Sequence, residues 1–130
     1  MNGETVLKLL KELGKNCRGP GVVYVTGGGS AVIVGWRETT IDVDLKFQPE
    51  PAGIFDAIPR LKNELNLNIE LAAPDDFVPA LPGWKERSQW IATHQEVDFF
   101  HFDFYTQALS KIERGHSKDR ADVAEMVESA

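Results

Sequence analysis

The stretch Thr40-Ile41-Asp42-Val43-Asp44-Leu45-Lys46-Phe47 decides how the rest of the chain is read. Apolar and charged residues alternate strictly across it, and period two is the signature of a β-strand with one buried face. Ile41, Val43, Leu45 and Phe47 fall on the apolar side, and Asp42, Asp44 and Lys46 on the other. Aspartate is depleted in strands, so two of them inside an otherwise apolar strand are an anomaly. Carboxylates at i and i+2 point the same way, with Cβ atoms roughly 6–7 Å apart. That spacing is too wide for a shared proton. It suits two oxygens closing on one divalent cation, or two cations about 4 Å apart. Mg²⁺ favours such ligands, with substrate phosphates and water completing its octahedron. A merely solvated strand face is the competing reading, and the pair alone does not decide between them.

Upstream, Val22-Val23-Tyr24-Val25 predicts a short buried strand, broken by Gly27-Gly28-Gly29-Ser30. Ala31 to Val34 then reads as a short helical turn, stopped at Gly35. Glycines let a backbone approach a phosphate closely, a helix start offers free N–H groups to it, and Ser30 would add a hydroxyl donor. A tight turn that uses glycine only for positive φ is the plainer alternative. The run is no P-loop, because no Gly-Lys-Ser/Thr follows. It also fails the dinucleotide fingerprint, since Val32 occupies the third-glycine place.

Around this centre, Val6, Leu9, Leu10 and Leu13 form one apolar stripe of a helix over Thr5 to Lys15. Ile54, Ile58, Leu61 and Leu65 form a second stripe, which Pro59 is expected to kink or split. Asn68 to Ala72 reads as a strand and Pro74 to Gly83 as a proline-rich loop. Trp84 to His94 fits helix or strand equally. Val97 to Tyr105 reads as an aromatic-rich strand and Thr106 to Arg114 as a helix. Ser117 is placed to cap a last helix carrying Val123, Met126 and Val127. The pattern gives an α/β (α+β) fold, a small mixed sheet flanked by helices, as a single domain over residues 1–130.

Composition narrows the function. With 42% hydrophobic and 26% charged residues the chain has the profile of a globular domain. It has neither an apolar run near the ~20 residues of a membrane span nor a signal-peptide pattern. A cytoplasmic location without membrane partners is therefore expected. The single cysteine, Cys17, excludes an internal disulfide and a cysteine-rich zinc module. A net charge of −6 argues against broad binding to a nucleic-acid backbone. It leaves room for a nucleoside triphosphate, whose charge a divalent metal bridges.

Gly28-Gly29-Ser30-Ala31, a short helix, and then Thr39-Thr40-Ile41-Asp42-Val43-Asp44-Leu45 together resemble the signature of the nucleotidyltransferase superfamily. The resemblance implies that the glycine turn holds the triphosphate and that the paired acids hold two Mg²⁺ ions. It also implies a third acid on the next strand, which completes the metal site or acts as base toward the attacking hydroxyl. The matching position is Glu70, a glutamate where aspartate is more usual, with Asp98 as the fallback. Farther on, Ala108-Leu109-Ser110-Lys111-Ile112, Arg114 and Lys118-Asp119-Arg120-Ala121-Asp122-Val123 resemble the tail of small bacterial nucleotidyltransferase-like proteins. Those proteins include toxins linked to abortive phage infection. By that resemblance Lys111 meets phosphate, while Asp119 and Asp122 orient Lys111 or Arg114 or contact substrate.

The resemblance thus implies Mg²⁺-dependent transfer of a nucleoside monophosphate from an NTP to an acceptor hydroxyl on RNA, protein or a small molecule. It allows a toxin with a partner antitoxin. Two other readings stay open: a nucleotide-binding module without catalysis, and a partner-binding protein. In the latter, Trp84, Trp90 and the Phe99-to-Tyr105 stretch would form an interface, including a homodimer contact. Arg37 lies between turn and acids, placed for phosphate or for solvent. Arg87 is expected to stack on Trp84. His94, His101 and His116 are too scattered for a zinc site, and His101 reads as a base or a packed residue.

Overall fold

The structure is a computed structural model. It describes residues 1–71, 81–114 and 127, and the side chains of 110–114 are not among what it describes. Among the described residues ten elements follow in order: α1 (Gly3–Asn16), β1 (Gly21–Thr26), α2 (Gly28–Val34), β2 (Asp42–Phe47), α3 (Ile54–Leu65), β3 (Asn68–Glu70), α4 (Trp84–Arg87), β4 (Gln89–His94), β5 (Val97–His101) and α5 (Phe104–Arg114). The strands form one sheet in the order β3-β2-β1-β5-β4. The pairs β1–β2 and β4–β5 are antiparallel, and β1–β5 and β2–β3 are parallel. This is the small mixed sheet flanked by helices that the sequence pattern predicts.

The two faces of the sheet differ in chemistry. Val23, Val25, Val43, Leu45, Ile69, Val97 and Phe99 face the helices and join one buried cluster with Val6, Leu9, Leu10 and Leu13 of α1 and Ile54, Ala57, Ile58 and Leu61 of α3. Asn2 caps α1 by accepting the Thr5 N–H at 2.9 Å. On the opposite face Tyr24 meets Trp84 with ring centroids 5.1 Å apart and Phe102 at 5.9 Å. Lys46 lies over the Trp84 and Phe102 rings at 5.6 and 5.8 Å. Asp42 and Asp44 belong to this second face, because they alternate with the buried Val43 and Leu45.

Several expectations change. Pro59 neither splits α3 nor ends it: the helix runs unbroken from Ile54 to Leu65. Proline deletes one bond, the one to the carbonyl of Phe55, whose residue is 52% exposed. Burial of Ile54, Ala57, Ile58 and Leu61 outweighs that single loss. The strand β2 begins at Asp42 rather than Thr40. The Thr40 N–H donates to Met1 O at 2.8 Å and its hydroxyl to Asp42 O at 3.0 Å, so the backbone leaves the ladder there. Ile41 accordingly stands 84% exposed, off the apolar face assigned to it. The strand β3 stops at Glu70, two residues short of Ala72. The ambiguous stretch resolves into the helical turn α4 followed by β4, and β5 ends at His101, before α5 starts at Phe104. The helix placed after Ser117, with Val123 and Met126, lies outside the described residues.

Candidate active site

The end of the sheet where β1 finishes and β2 and β3 start gathers the polar groups. Thr26, the last residue of β1, is the register partner of Asp44, and Asp44 in turn is the partner of Glu70. Cross-strand partners point to one face, so Thr26, Asp44 and Glu70 share a row across three strands. Asp42 pairs with Asn68, whose side-chain amide donates to Asp42 Oδ1. Asp98 pairs with Val22, four residues back along β1 from Thr26. That is roughly 13 Å away at the rise of a strand, and Asp98 accepts instead from Thr93 Oγ1 at 2.6 Å. Of the two candidates for a third acid, Glu70 is therefore the one beside the aspartate pair.

The glycine turn comes to the same place. Gly27 has φ +63° and ψ −136°, a conformation open to glycine. A Cβ built there would lie 3.1 Å from Asp44 Oδ2, so the bare backbone is what lets the turn pass against the carboxylate. A Cβ on Gly29 would press at 3.1 Å on Val25 and 3.3 Å on Val43, so glycine seats α2 directly on the β1–β2 pair. Gly28 backs onto Thr40, with Arg37 Nη1 within 3.4 Å of where a Cβ would be. Much of what the glycines do is packing.

Ser30 has a different task from the one expected. It is fully buried, and its hydroxyl donates to Val25 O at 2.8 Å. With its hydrogen so used, Ser30 Oγ accepts from His101 Nδ1 at 2.9 Å. His101 is thus a packed residue carrying its proton on Nδ1, and burial pushes its pKa down to about 4. The hydroxyl is turned inward, away from any triphosphate at the turn.

A cavity of about 680 Å³ opens beside Asp42, lined among others by Arg37, Thr39, Thr40, Asn66 and Asn68. The donor set suits Mg²⁺: hard carboxylate oxygens held by a strand. Thr26 Oγ1, buried and without a hydrogen-bond partner among the described residues, adds a polar atom opposite Asp44. Among the described residues no three His, Cys, Asp or Glu side chains converge closely enough to hold a metal by themselves. Two strand carboxylates, with phosphate oxygens and water filling the rest, is how Mg²⁺ is commonly bound alongside nucleotides.

The family described as nucleotidyltransferase of unknown function (DUF6036) matches residues 4–128. The chain belongs to this family. No curated protein and no solved structure matched the chain.

In this nucleotidyltransferase-family chain Lys111 lies in α5, one helical turn beyond Gln107, while Asp119 and Asp122 lie outside the described residues. Arg87 stacks elsewhere than expected. Its guanidinium grips the fully buried Asp103 through Nε at 3.0 Å and Nη2 at 2.6 Å, and lies over the Tyr105 ring. Burial raises the Asp103 pKa, but Arg87, the Thr106 hydroxyl and the Tyr105 N–H outweigh it and hold the carboxyl below its ordinary value. Phe99, Phe102 and Phe104 are buried, while Tyr105 is 40% and Trp90 62% exposed. Burial pushes the Cys17 thiol up, with Arg60 opposing, which leaves it a poor nucleophile. Sequence reasoning missed Gln107, whose Oε1 accepts the Gly27 N–H at 2.9 Å. The available signal was a polar residue three past Phe104 and next to Ala108, on the apolar side of α5.

Proposed function

We propose that this chain transfers a nucleoside monophosphate from a nucleoside triphosphate to an acceptor hydroxyl, with Mg²⁺ held at Asp42 and Asp44. The observation that carries the reading is the meeting of the Gly27 turn with Asp44 Oδ2, in the same row as Glu70. When bound, Mg²⁺ neutralises triphosphate charge and makes the acceptor hydroxyl easier to ionise. The chain's own residues do the positioning. The backbone of the Gly28-Gly29 turn approaches the phosphates, with Ser30 contributing its backbone rather than its hydroxyl. The family resemblance adds Lys111 and Asp119 to the residues assigned to the nucleotide. Arg37 and the cavity beside Asp42 receive the acceptor. The acceptor oxygen attacks the α-phosphorus, the bond to the β-bridging oxygen breaks, and pyrophosphate leaves. Glu70, exposed next to Asp44, takes the hydroxyl proton. Such catalysis is chiefly orientation and charge neutralisation, so few groups suffice.

The likeness to abortive-infection proteins extends this to a growth-arresting toxin with a cognate antitoxin, acting in the cytoplasm. The test of the core reading is label transfer from α-³²P-labelled NTPs with Mg²⁺, offered RNA, protein and small-molecule fractions in separate arms. Label covalently attached in one arm, absent with EDTA and with Asp44→Asn, is the expected result. Nucleotide binding with no label in any arm would instead favour a binding module, and the absence of both would remove the reading.

A further inference from the structure

We propose that Gln107 is a positioning residue of the nucleotide site: from α5, its amide fixes the Gly27 peptide against the Asp44 carboxylate. The inference rests on the nucleotide-site reading above and adds to it a residue outside the signature motifs.

Gln107 is 1% exposed, and both ends of its side chain are engaged. Oε1 accepts the Gly27 N–H at 2.9 Å, and Nε2 donates to Phe102 O at 2.8 Å. A backbone N–H can only donate and a carbonyl only accept, so the partners fix the amide orientation. Space alone at this position would be filled by a methionine or leucine of similar size. Burying an amide is costly unless its partners are met, so the glutamine is explained by what it holds.

What it holds is the most conformationally open point of the site. Gly27 lacks a side chain and sits at φ +63°, and no helical bond restrains its N–H. The next step is already fixed, since Ser30 is tied to Val25 O and to His101. Freedom therefore concentrates at Gly27, where the backbone passes Asp44 Oδ2. The Gln107 bond reaches across 80 residues of sequence to close that freedom. The helix that supplies it also carries Lys111 one turn later. The turn's shape and the seating of α5 are consequently one unit: a shift of α5 changes how Gly27 stands beside Asp44.

The test uses the full chain with Gln107→Met, Gln107→Glu and Ala108→Gly. Ala108 is buried in the same helix and its methyl side chain cannot hydrogen-bond, so its glycine variant reports general loosening of α5. Amide exchange at Gly27 is followed by NMR, thermal midpoints by calorimetry, and binding of MgATP, MgGTP, MgCTP and MgUTP by titration. Expected for Gln107→Met is Gly27 exchange at least tenfold faster and affinity for the preferred nucleotide at least tenfold weaker. Ala108→Gly lowers the midpoint but leaves both readouts within twofold. Gln107→Glu keeps an acceptor for Gly27 and restores part of its protection. Unchanged Gly27 exchange in Gln107→Met overturns the proposal, as does affinity that merely follows the thermal midpoint across all three variants. If the wild type binds none of the four nucleotides, the nucleotide reading fails, and this assignment of Gln107 as a nucleotide-site residue fails with it. The exchange measurement still reports separately whether Gln107 fixes the turn.

Discussion

Acidification should destabilise this protein through His101 before it reaches the carboxylates. The imidazole is buried against Phe104 and donates a hydrogen bond from Nδ1–H to Ser30 Oγ, and burial pushes its pKa down to about 4 where 6.5 is ordinary. The folded state therefore resists the charged form, while the unfolded chain takes up a proton near pH 6.5. Below that value the unfolded state binds more protons, so stability falls as pH drops through 6.5 and levels off near 4. The difference is worth on the order of 3 kcal/mol over the whole window, at 1.36 kcal/mol per pH unit. Roughly 1 to 1.5 kcal/mol of it is lost by pH 5.5. Urea unfolding at pH 7.0, 6.0, 5.5 and 5.0 measures this slope, and NMR titration of the His101 ring measures its cause. His101→Asn keeps a side-chain N–H for Ser30 but does not titrate, so its stability should be nearly flat over the same range. A wild type and variant with parallel slopes, or a His101 ring titrating near 6.5, would refute the reasoning.

Three further outcomes follow from the same geometry. Arg87→Met leaves Asp103 buried without its guanidinium; the carboxyl pKa rises, so the acid-unfolding midpoint moves to higher pH, as circular dichroism would show. Gly29→Ala presses a methyl against Val25 and Val43 at 3.1 and 3.3 Å; chemical denaturation should register a loss of about 1–3 kcal/mol. Gly27→Ala must strain at φ +63° and ψ −136° for about 1–3 kcal/mol and crowds Asp44 Oδ2, so nucleotide affinity should fall by more than the Gly29→Ala variant loses.

The sheet face that carries Asp42 and Asp44 was legible because alternation is local: every second residue of one strand reports the same side. The α1 stripe was legible for the same reason, and Val6, Leu9, Leu10 and Leu13 are all fully buried. What escaped depends on distant partners. The Ser30 hydroxyl could be aimed at a phosphate only until His101, 71 residues away, was known to lie behind it. Gln107 carried no meaning until Gly27 stood next to it. Choosing Glu70 over Asp98 needed strand register, which spacing alone does not supply. Pro59 misled because a propensity rule was set against a buried stripe, and the stripe prevailed.

Isothermal titration of MgATP, and of the other three nucleoside triphosphates, into wild type and into Asp42→Ala/Asp44→Ala tests the central claim most directly. The account predicts saturable, Mg²⁺-dependent binding of at least one nucleotide by the wild type. It predicts loss of at least a hundredfold in affinity for the double variant, with its fold intact by circular dichroism. Equal Mg²⁺-dependent binding by both proteins would contradict the assignment of Asp42 and Asp44 as the metal-holding pair.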